Sequence, residues 1–516
     1  MKKSHLLFIL SSVFMLTITS CNKEKIVDVK HNAPDYSGYS HQFMTFGYAS
    51  PTNGTYYIDG SPISTGEDYQ TVERYREYKE AGLNTMMLQL EDRYPLPGEV
   101  TFEGSHGKYL MDLCVEAGIE NCIITDSRIQ PLSTGNSQII GPGCQFADQD
   151  ELNEYVRECM ADYIEHPAFY GLLLRDEPFW QHLEAFGQVY QAVKAAEHFY
   201  KEAGIYHKDQ IYIEANLLPY TLGDEQKQRY TPDWQSMTSM EAYQDYLNRF
   251  LNSSHADKVL MDVYPFTMSG GSETMKSNYF EGVQILANFC KEHGLRFEGV
   301  AQSFGGKNNG IRRWSMPTIS TVSWQLNHFM SMGMQTFAFF TYWRKVSNKT
   351  DGEWFNDGES FMTSDGQRTS VYYDVQTILN EMQTFAPVIS NFSYCANKTI
   401  IVEPVVFPTN FAAEENMPFT KLKDKNITIQ EGRMCSMSEL YDKANKRYMY
   451  TVENIMDPRF IAYDDLTMEF SLKFGDEYNA VEVYYRGEKR LVPLKNGVYK
   501  SKLDAGYAEY LIPYKA

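Results

Sequence analysis

The chain has 516 residues, and its 47 basic and 67 acidic side chains give a formal net charge of −20 with histidine neutral. A composition of 43% apolar and 22% charged residues is typical of globular proteins and excludes a disordered or collagen-like chain. The acidity, and the lack of a run rich in lysine and arginine, argue against nucleic acid as a partner. Aromatic residues make up 14% of the chain, an excess that suits cores or surfaces that stack on flat apolar faces.

The first 21 residues have the form of an export signal. Two lysines precede an apolar run from Leu6 to Ile18 that is too short to cross a bilayer comfortably. The residues that end at Cys21 resemble the lipobox of bacterial lipoproteins, whose cysteine is acylated. The resemblance implies a signal peptide over 1–21, a lipid anchor at Cys21 and a tether over 22–42. Asn22 after the cysteine is compatible with an exported protein anchored to the outer membrane by lipid alone.

From residue 43 the chain repeats a short apolar strand, a polar loop and an amphipathic helix eight times. The predicted strands, numbered first to eighth below, are Phe43–Tyr48, Asn84–Leu90, Glu120–Thr125, Phe169–Arg175, Gln210–Ala215, Lys258–Val263, Arg296–Ser303 and Gln335–Tyr342. The predicted helices are Gln70–Ala81, His106–Ala117, Asp148–Glu165, His182–Ala203, Met240–Leu251, Lys276–His293, Pro317–Met332 and Thr369–Phe385. Strands that are apolar throughout and separated by helices are typical of parallel sheets buried on both faces.

The count of repeats predicts the fold of the first part of the chain. Eight units over roughly 340 residues match an α/β fold of the (β/α)₈ or TIM-barrel type, which we place at 43–386. A doubly wound open sheet is the competing topology, but the glycine-rich turn that it would carry after its first strand is absent. After residue 391 the apolar period changes to two, which predicts a small C-terminal all-β domain of the sandwich type at 387–516.

The cysteine and histidine patterns argue against a disulfide framework and against a metal site. The seven cysteines after Cys21 are odd in number and scattered, which is a poor disulfide framework. Neither C-x-x-C nor H-E-x-x-H occurs, and the histidines are isolated, so a barrel metallohydrolase is disfavoured. We therefore expect neither a metal nor an organic cofactor.

The residues that end each strand are the candidates for chemistry, because catalytic groups in such barrels lie at the carboxyl ends of the strands. The fourth strand leads into Asp176-Glu177-Pro178, two adjacent carboxylates followed by a proline. A carboxyl in a half-apolar pocket has a raised pKa and can donate a proton near neutral pH. Helix capping by Asp176 is the alternative, but a cap would not require Glu177 as well.

A barrel with Asp176-Glu177-Pro178 after its fourth strand and Tyr342-Trp343 after its eighth resembles the clan A glycoside hydrolases, including the β-galactosidase-like families. The acid/base glutamate of that clan stands in an Asn-Glu-Pro turn at this place. The resemblance therefore implies that Glu177 is the acid/base and that Asp176 contacts a sugar hydroxyl.

The sequence departs from that clan at the seventh strand, where a nucleophilic glutamate is expected and Gln302 stands instead. Glu298 lies four residues earlier, deeper by about 13 Å at ~3.3 Å per residue, and is expected to pair with an inward arginine such as Arg175 or Arg296. The second carboxylate must then come from another strand.

Two other strands offer that second carboxylate. Asp262 ends the sixth strand beside Tyr264 and a turn-forming proline, and Glu214 lies within the fifth strand. We favour Asp262 as base or nucleophile, with a loop-ordering hydrogen bond as its alternative role. A spacing of about 5–5.5 Å between the two carboxyls would indicate retention, and one of roughly 6.5–9.5 Å would indicate inversion.

Several further side chains near strand ends are predicted to bind substrate, because sugar rings pack on aromatic faces and sugar hydroxyls bond to acids and amides. They are Asp176, Glu214, Tyr264, Gln302, Trp314, Tyr342 and Trp343. The sequence thus predicts a glycoside hydrolase that acts on an oligo- or polysaccharide by two-carboxylate chemistry. The alternative is a non-catalytic glycan-binding lipoprotein whose barrel has lost catalysis.

Overall fold

A computed structural model describes most of the chain after residue 41. The described ranges are 42–58, 61–64, 67–135, 138–276, 278–308, 311–343, 360–405, 419–460 and 466–515. The predicted signal peptide, Cys21 and nearly all of the tether lie outside these ranges. Within them, no helix has the length and apolar character needed to cross a membrane.

Each predicted strand of the first region is present, and these strands pair in parallel. They are Met44–Gly47, Thr85–Met87, Asn121–Ile124, Phe169–Leu173, Tyr212–Glu214 with Asn216–Leu217, Lys258–Asp262, Arg296–Gln302 and Thr336–Phe340. One parallel sheet has the order first, eighth, seventh, sixth and end of the fifth strand, and the other runs from the second strand to the start of the fifth.

The two parallel sheets meet at both of their edges. The fifth strand is interrupted only at Ala215, so that its two halves belong to different sheets. At the other edge, the backbone N–H of Asn84 donates to the carbonyl of Thr45 at 3.1 Å, which brings the second strand beside the first.

Helices follow the parallel strands as predicted. They are Val72–Glu80, His106–Ala117, Gln130–Thr134, Gln149–Met160, Leu183–Glu202, Asp224–Tyr230, Ser239–Ser254, Tyr279–His293, Ile319–Ser331, Ser370–Gln383 and Ala386–Ile389. The helix His106–Ala117 matches its prediction at both ends. The Ser105 side chain accepts a hydrogen bond from the first turn, and Gly118 ends the helix with a left-handed φ of 73°.

Antiparallel β-structure follows from Ser393. A six-stranded sheet has the order Ser393–Val402, Arg433–Asp442, Arg447–Asn454, Ala508–Tyr514, Ala480–Tyr485 and Glu488–Pro493. A three-stranded sheet has the order Ile427–Ile429, Met468–Lys473 and Val498–Leu503. Buried apolar side chains of both sheets, such as Val452 and Leu472, belong to one cluster, so the two sheets share a core.

Two hairpins extend the loops after the sixth and seventh strands, and neither was predicted. The first is Phe266–Ser269 with Ser272–Met275, and the second is Gly306–Asn308 with Ile311–Trp314. They pair with each other through Thr267 and Trp314 and form a four-stranded antiparallel sheet, called the mouth sheet below. A further hairpin, Thr55–Ile58 with Ser61–Ser64, follows the first strand.

Candidate active site

A cavity of about 740 Å³ lies at the carboxyl ends of the parallel strands. Five of the predicted site residues line it, namely Asp176, Glu177, Asp262, Tyr264 and Trp314. A cavity of similar size, about 750 Å³, lies at the opposite ends of the strands and is lined by none of the predicted site residues. Chemistry rather than size therefore distinguishes the two, and the first cavity is the candidate active site.

Glu177 and Asp262 meet in this cavity. Glu177 follows the fourth strand, Asp262 ends the sixth, and a hydrogen bond with Asp262 lowers the pKa of Glu177. Burial, and then the charge of Asp176, raises the pKa of Glu177. Burial, and then the charge of Glu177, raises the pKa of Asp262 well above its ordinary value. Two carboxyls so placed favour holding one proton between them, since both cannot ionise at low cost. We call these two residues the acid pair.

Asn216 orders the segment that carries the fourth-strand acids. Its Nδ2 donates to Oδ1 of Asp176 at 2.8 Å, and its carbonyl accepts the backbone N–H of Glu177 at 3.0 Å. These contacts help to hold Glu177 at a φ of 45°, a left-handed conformation that is strained for residues other than glycine. Oδ1 of Asn216 is buried and has no hydrogen-bond partner within the described ranges, which leaves an acceptor beside the cavity.

Glu214 lies behind the cavity wall, which corrects the expectation that it contacts substrate. Its side chain is fully buried, and its Oε1 accepts a hydrogen bond from the Tyr48 hydroxyl at 2.7 Å. Burial, and then the charge of Asp176, raises the pKa of Glu214 well above its ordinary value. Tyr48 does line the cavity, so Glu214 contributes to the cavity only by holding the Tyr48 hydroxyl. The signal for Tyr48 was its place at the end of the predicted first strand.

Three basic side chains that were not predicted also line the cavity, namely Arg229, Lys276 and Arg313. The guanidinium of Arg229 lies over the Phe179 ring at 5.2 Å, and Lys276 directly follows one strand of the mouth sheet. The positive charges of Arg229 and Lys276 lower the pKa of Glu177 and so oppose the effect of burial. Arg229 belongs to the helix Asp224–Tyr230 and Arg313 to the mouth sheet, and the strand pattern predicts neither element.

Aromatic rings form one side of the cavity, as predicted for Tyr264 and Trp314. Each of these rings contacts Phe304, with centroid distances of 5.1 Å and 5.5 Å respectively. Tyr264 also stacks on Phe340 at 5.8 Å, and Phe340, the last residue of the eighth strand, lines the cavity as well. The wall thus offers flat apolar surfaces next to the acid pair.

Tyr342 and Trp343 do not line the cavity, which corrects their predicted role in substrate binding. Both side chains are fully buried, Tyr342 against Tyr78 at 4.7 Å and Trp343 against Tyr69 at 4.9 Å between ring centroids. The eighth strand ends at Phe340, two residues earlier than predicted. The two rings therefore fall into the core behind the strand end.

Gln302 is a further correction, because its amide is used within the protein. The side chain is 1% exposed, and its Oε1 accepts the backbone N–H of Phe266 at 3.0 Å. Its Nε2 donates to the carbonyls of Phe266 and Phe304 at 3.1 and 3.2 Å. Gln302 thus ties the loops after the sixth and seventh strands together instead of facing a ligand.

Glu298 is buried within the seventh strand, as its deeper position predicted. It accepts hydrogen bonds from the Tyr212 hydroxyl at 2.7 Å and from Thr336 Oγ1 at 3.2 Å. The expected arginine partners bond elsewhere. Arg175 donates to the Thr134 carbonyl at 2.8 Å, and Arg296 forms an ion pair with Asp257 at 3.1 Å.

Comparisons with known proteins give likenesses of structure only. No family model and no curated protein matches the chain. The β-galactosidase from the psychrophilic Marinomonas ef1 is 12% identical with a TM-score of 0.38, and the match covers 62% of this chain and 58% of that one. The family 30 subfamily 8 xylanase from Clostridium acetobutylicum is 11% identical with a TM-score of 0.35, covering 85% and 92%. The β-glucosidase from Exiguobacterium marinum is 13% identical with a TM-score of 0.39, covering 66% and 98%.

All three of these proteins are glycoside hydrolases by name. The chain spans 58% of the length of the β-galactosidase that it matches. The likeness concerns the fold alone.

Proposed function

We propose that the protein is a glycoside hydrolase whose catalytic residues are Glu177 and Asp262. The observation that supports this most directly is that both side chains line one cavity at the carboxyl ends of the parallel strands. The rings of Tyr264 and Trp314 stand in the same cavity and give a sugar ring surfaces to pack on. A pair of carboxyls flanking the scissile bond is the common machinery of retaining and inverting glycosidases.

We further propose that the two parallel sheets close into one (β/α)₈ barrel over 43–386, followed by a β-sandwich domain over 387–516. The fifth strand passes from one sheet to the other, and the bond from Asn84 to Thr45 joins the remaining edges. The carboxyl ends of barrel strands are where catalytic groups gather in this fold. The cavity that holds the acid pair lies at those ends.

In the proposed reaction the glycosidic C–O bond breaks while Glu177 transfers its proton to the leaving oxygen. In the form of the pair that carries the shared proton on Glu177, Asp262 is ionised and acts as base on water or as nucleophile, and water finally supplies a hydroxyl to the sugar carbon and a proton to the carboxylate. One proton shared by the pair provides the protonated acid and the ionised carboxylate that these two roles require. Asp176 and the free acceptor of Asn216 are placed to bond sugar hydroxyls.

Retaining enzymes have a spacing of ~5–5.5 Å between the two carboxyls, and inverting enzymes one of roughly 6.5–9.5 Å. The separation reached in the complex would then decide between retention and inversion.

A glycan-binding protein without catalysis is the second candidate function. Gln302 stands where the clan A enzymes carry a nucleophilic glutamate, and its amide is fully used in ordering loops. Such a protein would keep the aromatic wall of Tyr264 and Trp314 and would bind glycans without cleaving them.

The test is a screen of the purified protein against aryl glycosides and polysaccharides, followed by variants on any substrate that is cleaved. Glu177→Gln and Asp262→Asn are expected to abolish most of the turnover. Glu120→Gln, an exposed carboxylate at the opposite cavity, is the matched control and is expected to leave it unchanged. Full activity in Glu177→Gln would falsify the proposed role, and binding without turnover by the native protein would support the second candidate.

We also propose that Cys21 is acylated and anchors the exported protein to the outer membrane. The support is the apolar run and lipobox-like sequence that precede Cys21. Two or more acyl chains give stable anchoring where one does not. A metabolically supplied palmitate analogue should label the native chain and not Cys21→Ala, and the labelled chain should fractionate with outer membranes; labelling of both would contradict the assignment.

A further inference from the structure

Arg459, in the C-terminal β-region, reaches into the mouth sheet with only 3% of its side chain exposed. Its Nη1 donates to the carbonyl of Thr267 at 3.2 Å and to Oγ of Ser315 at 2.7 Å. Its Nη2 donates to the carbonyl of Thr274 at 2.9 Å. One side chain of the C-terminal region therefore bonds to three separate segments beside the cavity.

Asp457 and Phe266 complete the surroundings of this guanidinium. Nε of Arg459 donates to Oδ1 of Asp457 at 2.9 Å, and Nη2 also donates to Oδ2 of Asp457. The guanidinium carbon lies 4.9 Å from the centre of the Phe266 ring, over its face. Because a guanidinium carries five N–H donors, one on Nε and two on each Nη, these contacts use all of them.

The three segments that Arg459 bonds also bring side chains into the cavity. Thr267 and Thr274 belong to the paired strands that lead to Lys276, and Ser315 directly follows Trp314. Lys276 lowers the pKa of Glu177 by its charge, and Trp314 contributes its ring to the wall.

The C-terminal region is itself fixed to the helix Ile319–Ser331, so Arg459 projects from an anchored support. Nδ1 of His328 lies 2.9 Å from Oε2 of Glu453, and both side chains are buried. The hydroxyl of Tyr510 donates to Oδ1 of Asn327 at 2.9 Å. Buried polar contacts of this kind hold one geometry, because breaking them leaves unpaired groups out of reach of water.

We propose that Arg459 is a positioning residue that holds the mouth sheet over the acid pair, so that the C-terminal β-region takes part in building the active site. Its effect on catalysis rests on the proposed function, whereas its effect on the mouth sheet does not. Arginine suits the task because its planar fork serves acceptors in fixed directions, and a lysine offers three donors from a single nitrogen.

Hydrogen–deuterium exchange of the full chain tests the structural half of this proposal. In Arg459→Met, amides of 266–275 and 311–315 are expected to exchange at least tenfold faster, while those of Arg447–Asn454 keep their native rates. The matched control is Arg490→Met, which removes an arginine paired with Glu509 within the same β-region. Arg459→Lys, as a milder change, is expected to give an intermediate rate at the same segments and serves if the methionine variant does not fold.

Kinetics on a glycoside that the native protein cleaves test the catalytic half. Arg459→Met is expected to raise KM about tenfold or more through the displaced Trp314 and to lower kcat less, with partial rescue in Arg459→Lys. Unchanged exchange at the mouth sheet in both Arg459 variants, or exchange that rises equally throughout the β-region, would overturn the proposal. Faster local exchange in a protein that cleaves no glycoside would uphold the positioning of the mouth sheet and count against the proposed function alone.

Discussion

Glu177 and Asp262 line the same cavity and share a hydrogen bond, although Glu177 follows the fourth strand and Asp262 ends the sixth. Burial and the charge of Asp176 raise the pKa of Glu177, although a hydrogen bond with Asp262 lowers it, and burial and the charge of Glu177 raise the pKa of Asp262. Lys276 and Arg229 act in the opposite sense on Glu177 by favouring its charged form. The balance keeps one proton on the pair over a range of pH in which isolated carboxyls would be ionised.

The roles within the pair predict a dependence on the leaving group. Glu177→Gln is expected to lower kcat about 10²–10⁴-fold on alkyl glycosides, the usual range for a general acid, and far less on dinitrophenyl glycosides, whose leaving group needs no proton. Asp262→Asn is expected to lower kcat on both kinds of glycoside, because the reaction needs a base or nucleophile whichever leaving group is present. Steady-state rates on matched substrates with the two leaving groups check this. Equal losses in Glu177→Gln on both would contradict its role as acid.

Lys276 is expected to set the pH range of activity. Its positive charge stabilises the ionised form of both acids, so Lys276→Met should raise both of their pKa values and move both limbs of the pH–rate profile of kcat/KM to higher pH. Lys79→Met, at the opposite cavity, provides the matched loss of a lysine and should leave the profile in place. A profile of Lys276→Met that coincides with the native one, or moves to lower pH, would show that this charge does not act on the pair.

The parallel strands could be predicted because each is apolar throughout and bounded by turn residues, and helix ends were well marked where caps occur, as at Ser105 and Gly118. Three strands of the C-terminal region were not predicted, namely Arg433–Asp442, Glu488–Pro493 and Val498–Leu503, and the first two show why. Arg433–Asp442 is buried along nearly its whole length, so polar and apolar residues do not alternate in it, and Glu488–Pro493 is mostly exposed and lacks an apolar face. Tertiary packing, rather than local sequence, decides both.

The acid pair could be predicted from strand ends, whereas much of its surroundings could not. Lys276 and Trp314 reach the cavity through the mouth sheet, whose hairpins lie in segments that read as loops. Glu214 and Gln302 lie near the cavity, but their side chains form hydrogen bonds within the protein, Glu214 with Tyr48 and Gln302 with backbone groups. Sequence position indicates which strand end a residue occupies and does not show which partner it finds there.

Glu214 predicts a pH-dependent cost to stability. Its pKa is raised in the folded protein, so folding favours the protonated form, and stability is lost as pH rises from the unfolded pKa towards the folded one. The loss is about 1.4 kcal/mol for each pH unit within that window. Glu214→Gln keeps an oxygen for the Tyr48 hydroxyl and cannot ionise.

Thermal unfolding at two pH values measures this difference. Glu214→Gln and the native protein should unfold at similar temperatures at pH 4, and the variant should be the more stable at pH 7. Glu120→Gln, an exposed carboxylate, should show no such divergence. A native protein that gains stability relative to Glu214→Gln between pH 4 and pH 7 would refute the raised pKa.

Gln302 and Trp314 were both predicted to bind substrate, and the structure separates their roles. Gln302→Leu removes an amide that satisfies backbone groups of Phe266 and Phe304, so we expect a loss of about 1–3 kcal/mol in the free energy of unfolding for each partner left unpaired. Trp314→Ala removes part of the cavity wall, so we expect weaker glycan binding with a much smaller loss of stability. Chemical denaturation and titration with a bound oligosaccharide, applied to both variants, give the two quantities. If Gln302→Leu weakens glycan binding while unfolding at the native denaturant concentration, Gln302 faces the ligand after all and the loop-ordering role fails.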